Sequence, residues 1–396
     1  MSSIKIFNDP VYGFITVPRG IILNLIEHPY FQRLQRIKQL GLSHYIYPGA
    51  VHSRFHHALG AYHLMTSALH NLRLKGVPIS KEEFEAAQIA ILLHDIGHGP
   101  FSHVLEHTIV PVPHEEMTVM MMEELNLEFD GALDLAIKLF RNEYSRPFLQ
   151  QLISSQLDMD RLDYLNRDSF FTGVAEGVIG YDRLILMMDV VDNQLVIEEK
   201  AIFSIEKFLT SRKIMYLQVY MHKTALAAES MLILFLDLVR KSTDKPFVSP
   251  ALNYFLENSA FDTTIQGRKK LIENYTNIDD VDIWFLLKTC LNSKFSNIQN
   301  LAKGLINRRL FKIRIQDGPL ENHPLETGAD SKDFLSSNNL ALQTRQDSFE
   351  FIPYNQHDGE ILIKTKEGEL VPFSNIPNMQ HLQTSVKKYF MIMPQF

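Results

Sequence analysis

The sequence predicts a mainly α-helical core with a small α+β subdomain at its C-terminal end. Three observations lead there. Helical spacing of apolar residues dominates from Ile21 to about Arg240 and resumes over 248–304. After Asn307 the texture changes, and Leu310-Phe311-Lys312-Ile313-Arg314-Ile315 alternates as a strand does. A chain of 396 residues is also long enough for a large core with an appendage. The main boundary is placed near 305, dividing 1–305 from 306–396.

Taken in order, residues 1–20 read as a short strand or hairpin turning at Asn8-Asp9-Pro10. Helices are expected at 22–27, 30–40, 56–75, 81–96, 103–107, 114–125, 131–141, 146–154, 160–168, 181–188, 204–221 and 223–241. Val190-Val191 and Leu195-Val196-Ile197 flank an Asp192-Asn193 turn, which favours a strand pair over 190–198. Further helices are expected at 248–257, 266–274, 279–289 and 294–304. A loop is expected at 319–328. Segments 360–365 and 370–373 flank Lys366-Glu367-Gly368-Glu369 as a hairpin.

Bulk properties exclude several classes. Net charge is −7, so nothing global favours nucleic acid as a partner. The lone cysteine, Cys290, rules out an intramolecular disulfide and a multi-thiolate zinc site, in keeping with a cytoplasmic protein. Lys5 and Asp9-Pro10 stand where a signal peptide would need an apolar core. No apolar run approaches the ~20 residues of a membrane span.

Histidine is the unusual residue. Of 16 in the chain, ten fall between His52 and His114, where an even spread would put two or three. Within that region lies Leu92-Leu93-His94-Asp95-Ile96-Gly97-His98-Gly99-Pro100. The apolar run 86–93 reads as a buried helix that Gly97 and Gly99-Pro100 stop. An imidazole and a carboxylate on its last turn are costly to bury unless satisfied, and a divalent metal satisfies both. A hydrogen-bonded core pair is the alternative. Three other elements supply polar groups: 48–60 with His52, Arg54, His56 and His57; the run His98, His103, Glu106, His114; and Leu157–Asp168. On a helix Asp160, Tyr164 and Asp168 share a face, though a solvated charged helix would read the same way.

The ordered pattern His…His-Asp…Asp resembles the HD superfamily of metal-dependent phosphohydrolases. The match is closer than the superfamily. Ile37-Lys38-Gln39-Leu40-Gly41, Pro48-Gly49-Ala50 through His57, the segment 94–103, the segment 158–168 and Tyr220-Met221-His222-Lys223 occur in this order. They resemble the deoxynucleoside triphosphate triphosphohydrolases related to the SAM-and-HD-domain protein, over about residues 5–312. No sterile-alpha-motif segment is expected ahead of residue 5.

That resemblance implies a metal held by His57, His94, Asp95 and Asp160. Two imidazoles and two carboxylates suit Fe, Mn, Ni or Zn, with Mg²⁺ accompanying the triphosphate. It implies hydrolysis of a dNTP to deoxynucleoside and tripolyphosphate by attack at the α-phosphorus. The proton for the leaving oxygen would come from His103, steered by Glu106, or from His114, with His98 nearer the triphosphate. Arg54, Arg161 and Arg212 match the phosphate contacts, with Tyr164, Asp168 and Tyr216 beside them. At Tyr216 some relatives carry a His. Gln39, Leu40 and Tyr220 match the residues that close on the sugar. A second, regulatory nucleotide site would use Lys5, Asn8, Gln32, Lys200, His222, Lys223, Arg308 and Lys312 at the interface of a homotetramer. Glu27 and Gln35 stand where the best-known members use an Asp and an Arg to read guanine, so the expected activator is a dNTP such as dATP rather than GTP. The rival expectations are another HD phosphohydrolase, acting as a nucleotidase or phosphodiesterase, and a non-catalytic nucleotide sensor.

Overall fold

In the computed structural model, which describes residues 3–110, 112–243, 245–258, 264–319, 345–356 and 359–394, the core is built on the helices Arg54–Leu74 and Lys81–Leu93. The second of these starts at a capping box. Glu83 N–H donates to Ser80 Oγ at 3.1 Å, and Ser80 N–H donates to Glu83 Oε2 at 2.8 Å. Its residues from Ala86 to Leu93 are all buried, as the unbroken apolar run requires. The helix ends at His94. Gly97 then lets the chain pass tightly against the helix His114–Glu128, where a Cβ would stand 2.3 Å from the His114 carbonyl oxygen and from the Thr118 nitrogen.

The fourth motif forms the helix Met159–Thr172, packed on Arg54–Leu74. Asp158 caps its start by accepting from Arg161 N–H at 2.7 Å, and Gly173 ends it in the left-handed region at φ 75°. Helices Ile202–Met215 and Lys223–Lys241 complete the walls around the motifs.

Three expected helices take another form, the shortest of them, 103–107, being a 3-10 turn, Ser102–Val104, and a separate short helix, Glu106–Ile109. Residues 30–40 are not one helix: Pro29–Gln32 is followed by a 3-10 turn, Arg33–Arg36, and then by extended chain. Buried Arg33 ties this turn to the carbonyl oxygens of Ile278, Ile96 and His98. Beyond it Lys38 bridges to Ser53, and Gln39 N–H donates to the His52 carbonyl oxygen at 3.0 Å. These pairings satisfy the backbone in place of a helical ladder. Residues 204–221 are α-helical only to Met215; Tyr216–Tyr220 is a π-helical turn.

Among the described residues, three small sheets occur. Ile4–Asp9 and Gly13–Pro18 form the N-terminal hairpin. Met188–Val191 and Gln194–Glu198 pair through a turn with positive φ at Asp192 and Asn193. Leu362–Lys364 adds parallel to Gln194–Glu198 and pairs with Leu370–Pro372, so the expected C-terminal hairpin joins a sheet begun in the core. Lys312–Gln316, Val386–Met393 and Arg345–Phe351 make the third sheet, with the middle one central. The loop expected at 319–328 lies, from 320 on, outside the described residues. Among the described residues no single helix is long and apolar enough to cross a membrane. The bent pair 199–220 and 223–241, which passes by length and composition together, buries Phe208, Leu232 and Phe235 in the core.

Candidate metal centre

Three elements distant in sequence bring four side chains together. His57 comes from the first turn of Arg54–Leu74, His94 and Asp95 from the end of Lys81–Leu93, and Asp160 from the start of Met159–Thr172. His57 Nε2 lies 3.2 Å from His94 Nε2 and 3.0 Å from Asp160 Oδ1. His94 Nε2 lies 3.4 Å from Asp160 Oδ1 and 3.4 Å from Asp95 Oδ1, and Asp95 Oδ2 is 3.6 Å from His57 Nε2. Ligands about 2.1 Å from one ion stand roughly 3.0–3.4 Å apart at octahedral or tetrahedral angles. The donor set and these separations therefore fit a divalent transition metal, with His57, His94 and Asp160 forming the tightest group. The other sterically allowed cluster among the described residues, Glu106, His114 and Glu115, engages opposite nitrogens of one ring and is a hydrogen-bonded chain.

The surroundings orient these ligands. His94 Nδ1 is 2.6 Å from the Ile91 carbonyl oxygen, which leaves Nε2 facing the cluster. His57 Nδ1 is 2.7 Å from Asp163 Oδ2. Asp163 also accepts from Arg167 Nε at 2.9 Å, and Arg167 Nη1 donates to Asp9 Oδ2 at 2.7 Å. Asp163 and Arg167 are fully buried, so this is a solvent-free chain from the N-terminal hairpin to a ligand. Burial opposes charge on His57, but hydrogen bonds with Asp160 and Asp163 push its ring up to about 10. Burial likewise opposes ionisation of Asp95, and the Arg54 guanidinium 2.5 Å away holds that carboxyl well below the usual range.

A cavity of about 820 Å³ opens beside the cluster. Asp95, Asp160, His98 and His114 line it, as do Gln39, Leu40, Arg54, Tyr164, Asp168, Arg212, Tyr216 and Tyr220. Three of the expected roles read differently here. Arg54 donates to Asp95 and to Ser102 Oγ at 2.7 Å, so it positions a ligand as well as facing the cavity. Arg161 bonds Asp158 at 3.2 Å and lines a second cavity of about 490 Å³ instead, because its helical position points it behind Asp160. Glu106 Oε1 holds His114 Nδ1 at 2.6 Å and accepts from its backbone N–H at 2.8 Å. The side chain of His103 lies outside the described residues. His98 stacks on His114, ring centroids 4.0 Å apart; burial and the Arg54 charge keep its pKa well below the ordinary histidine value. Asp168 accepts from Tyr220 Oη at 2.8 Å and pairs with His52 Nε2 at 2.7 Å.

Sequence reasoning assigned no role to Asp163, Arg167, Asp9, His52 or Phe351. The first two had a signal, since Asp160, Asp163 and Arg167 follow at three and four residues on one helix. Phe351, which stacks on Tyr216 at 4.0 Å, had none. The ten residues expected at a regulatory site do not line either cavity. Lys5, Asn8, Glu27, Gln35, Lys200, Lys223, Arg308 and Lys312 are exposed. Gln32 Nε2 donates to the Ile26 carbonyl oxygen at 2.7 Å, and His222 caps the helix Lys223–Lys241 by accepting from Thr224 N–H.

A helical core that gathers two histidines and two aspartates, with Asp95 and Asp160 of that cluster on the wall of a cavity of about 820 Å³, defines a hydrolase of the HD-domain class. The HD domain family matches residues 54–168, and the family described as HD associated region matches 179–245. A crystal structure of a phosphohydrolase from Bacteroides thetaiotaomicron superposes with a TM-score of 0.90 at 45% identity, covering 99% of this chain and 100% of that one. The uncharacterized protein YwfO of Bacillus subtilis is 33% identical over 79% of this chain and 72% of its own length. The human deoxynucleoside triphosphate triphosphohydrolase SAMHD1 is 28% identical over 79% of this chain, which spans 55% of that relative. The chain belongs to the HD-domain phosphohydrolase family and is related to the SAMHD1 proteins.

Proposed function

We propose that this protein is a metal-dependent dNTP triphosphohydrolase, releasing deoxynucleoside and tripolyphosphate. The observation that carries the reading is the single cavity joining the metal ligands Asp95 and Asp160 to Arg212 and to Gln39, Leu40 and Tyr220. Its volume suits a whole nucleotide rather than a phosphate alone.

When bound, the divalent ion supplies Lewis acidity toward a phosphoryl oxygen and lowers the pKa of water; Mg²⁺ would accompany the triphosphate. The chain's own residues do the rest. Arg212 and Arg54 place positive charge on the wall that meets the phosphates. Tyr220, fixed by its bond to Asp168, lines the cavity with Leu40, and in this reading the two pack against the sugar and reject a 2′-hydroxyl by contact. His114, held by Glu106, donates the proton to the leaving 5′ oxygen. Neutral His98 stacks beneath it and fixes the plane of the His114 ring.

In this reading 1–305 forms the catalytic core, and 306–396 closes the cavity through Phe351. The active form is a cytoplasmic homotetramer whose regulatory nucleotide, held by Lys5, Asn8, Glu27, Gln32, Gln35, Lys200, His222, Lys223, Arg308 and Lys312, is a dNTP such as dATP. Melting-temperature shifts across a nucleotide panel test the last point; GTP as the strongest stabiliser would count against it.

One observation favours a second reading. With Arg161 turned to the other cavity, Arg54 and Arg212 alone among the lysines and arginines line the cavity in the described residues, few for the roughly four negative charges of a triphosphate. That suits another HD phosphohydrolase acting on a monophosphate or cyclic nucleotide. Purified protein incubated with each dNTP, with and without a second dNTP, separates the two. Tripolyphosphate that disappears in His94→Ala supports the dNTP reading; orthophosphate from nucleoside monophosphates with none from dNTPs supports the other.

A further inference from the structure

Two loops of the cavity wall share one buried anchor. Residues 37–41 supply Gln39, Leu40 and Gly41 to the lining, and a second loop supplies Phe101 and Ser102. Lys38 N–H, one residue ahead of Gln39, donates to Asp280 Oδ2 at 2.9 Å. Phe101 N–H donates to the other oxygen of the same carboxylate, Asp280 Oδ1, at 2.8 Å. Asp280 opens the helix Asp280–Thr289 and is buried, but it does not itself line the cavity.

Its own helix does not need this carboxylate. Asp279 caps that helix, accepting from Val281 N–H at 2.9 Å while its own N–H donates to Asp282 Oδ2 at 2.9 Å. Burial pushes the Asp280 carboxyl up to about 6, so its charge at neutral pH is kept against desolvation. What that charge serves is the pair of backbone donors it receives, each of which must be satisfied inside the wall.

The second loop is one that has to be held. Phe101 and Ser102 both stand in the left-handed region, at φ 54° and 49°, where side chains other than glycine persist only when their surroundings impose it. Ser102 Oγ accepts from Arg54 Nε, and the Arg54 guanidinium bonds the metal ligand Asp95. The first loop lies against the second, since a Cβ at Gly41 would stand 3.8 Å from the Phe101 carbonyl oxygen. It has a separate support in residues 52–54, where Gln39 N–H donates to the His52 carbonyl oxygen and Arg54 N–H to that of Ile37. Asp280 is the group that ties both loops to one point.

We propose that Asp280 is a positioning residue that sets the spacing of these two loops and, through Gln39 and Leu40, how closely the wall fits the sugar. The inference rests on the dNTP reading above, in which Gln39, Leu40 and Tyr220 close on a deoxyribose, and adds what holds that wall in place. A wall anchored at Asp280 rejects a 2′-hydroxyl by contact; a wall released there yields and admits it.

The test is an internal competition with the full-length protein. dATP is mixed with ATP, dCTP with CTP and dGTP with GTP, and the deoxynucleoside and nucleoside released are read from one tube. That gives the ratio of the two kcat/KM values at a single state of folding and activation. The wild type should favour the dNTP roughly a hundredfold, the scale on which a pocket rejects one added hydroxyl. Asp280→Asn keeps the size but turns an amide N–H₂ toward one of the two backbone donors, and should bring the ratio to about tenfold, with Asp280→Ala lower still. Leu287→Ala, a buried change on the same helix that touches neither donor, should lower Tm and leave the ratio at its wild-type value. An unchanged ratio in both Asp280 variants overturns the role of Asp280 and leaves the dNTP reading in place. An equal fall in Leu287→Ala also overturns it, because general loosening then explains the effect. A wild type that cleaves dNTPs and ribonucleotides alike overturns the inference with triphosphate hydrolysis intact. A wild type that releases no deoxynucleoside from any dNTP removes the underlying reading and the inference together.

Discussion

Asp163 Oδ2 stands 2.7 Å from Nδ1 of His57, on the far side of the ring from the nitrogen that faces His94 and Asp160. That contact fixes the tautomer in which Nε2 offers a lone pair to an ion. Asp163 is held in turn by Arg167, and Arg167 by Asp9 in the N-terminal hairpin. Asp163→Asn should lower metal affinity roughly 10–100-fold, the usual weight of such a supporting carboxylate. Chelator competition measures it; an unchanged affinity would show that the contact only packs the core.

Gly60 lies one turn beyond His57, and there the buried pair approaches the helix closely. A Cβ at Gly60 would stand 1.9 Å from Asp163 Oδ1 and 2.2 Å from Arg167 Nη2. Neither group can give way without leaving its partners. Gly60→Ala should destabilise the fold by about 1–3 kcal/mol, as overpacking does, despite the gain in helix propensity that alanine brings elsewhere. Thermal unfolding checks this, and a Tm at or above that of the wild type would contradict it.

The HD motif was legible because its residues cannot be buried cheaply without a shared partner. The run 86–93, the stops at Gly97 and Gly99-Pro100, and the histidine-rich stretch needed no tertiary information. The hairpin at 190–198 was legible from its Asp192-Asn193 turn. Local pattern could not show that Arg33 would be buried and break the 30–40 helix, because its partners come from residues 96, 98 and 278. Nor could it show that Arg161 would turn away from the metal-side cavity while Asp160, next to it, turned in. Phe351 reaches the cavity from a strand that nothing in its own neighbourhood links to a site.

In the proposed reaction His114 is the proton donor; Glu106 holds its Nδ1 at 2.6 Å and it lines the cavity. Glu106→Gln keeps the shape but weakens the hold on a protonated ring. It should lower kcat for tripolyphosphate release substantially, toward the 10²–10⁴-fold range of lost acid catalysis, with KM changed only a few-fold. A change confined to KM would move His114 to substrate binding.

Glu83 caps the helix that delivers His94 and Asp95, and it also accepts from Arg146 at 2.8 Å and from Tyr144 at 2.9 Å. Burial opposes its charge, but the Ser80 backbone bond and the Arg146 and Tyr144 bonds outweigh it and lower its pKa. A pKa lower in the folded chain than in the unfolded one adds stability above the unfolded value of about 4.3, and that stability is lost as pH falls through the folded value. Glu83→Gln should therefore lower Tm at pH 7, with the gap to wild type closing in acid below about pH 4. A gap of constant size across that range would contradict the ionic role.

The measurement that bears most directly on the account is the metal content of the purified protein and of its Asp160→Ala variant, by elemental analysis after loading with Mn²⁺ and gel filtration. Four converging ligands predict about one metal ion per chain in the wild type and loss of most of it when Asp160 is removed. An empty wild-type chain, or a variant that keeps its metal, would contradict it.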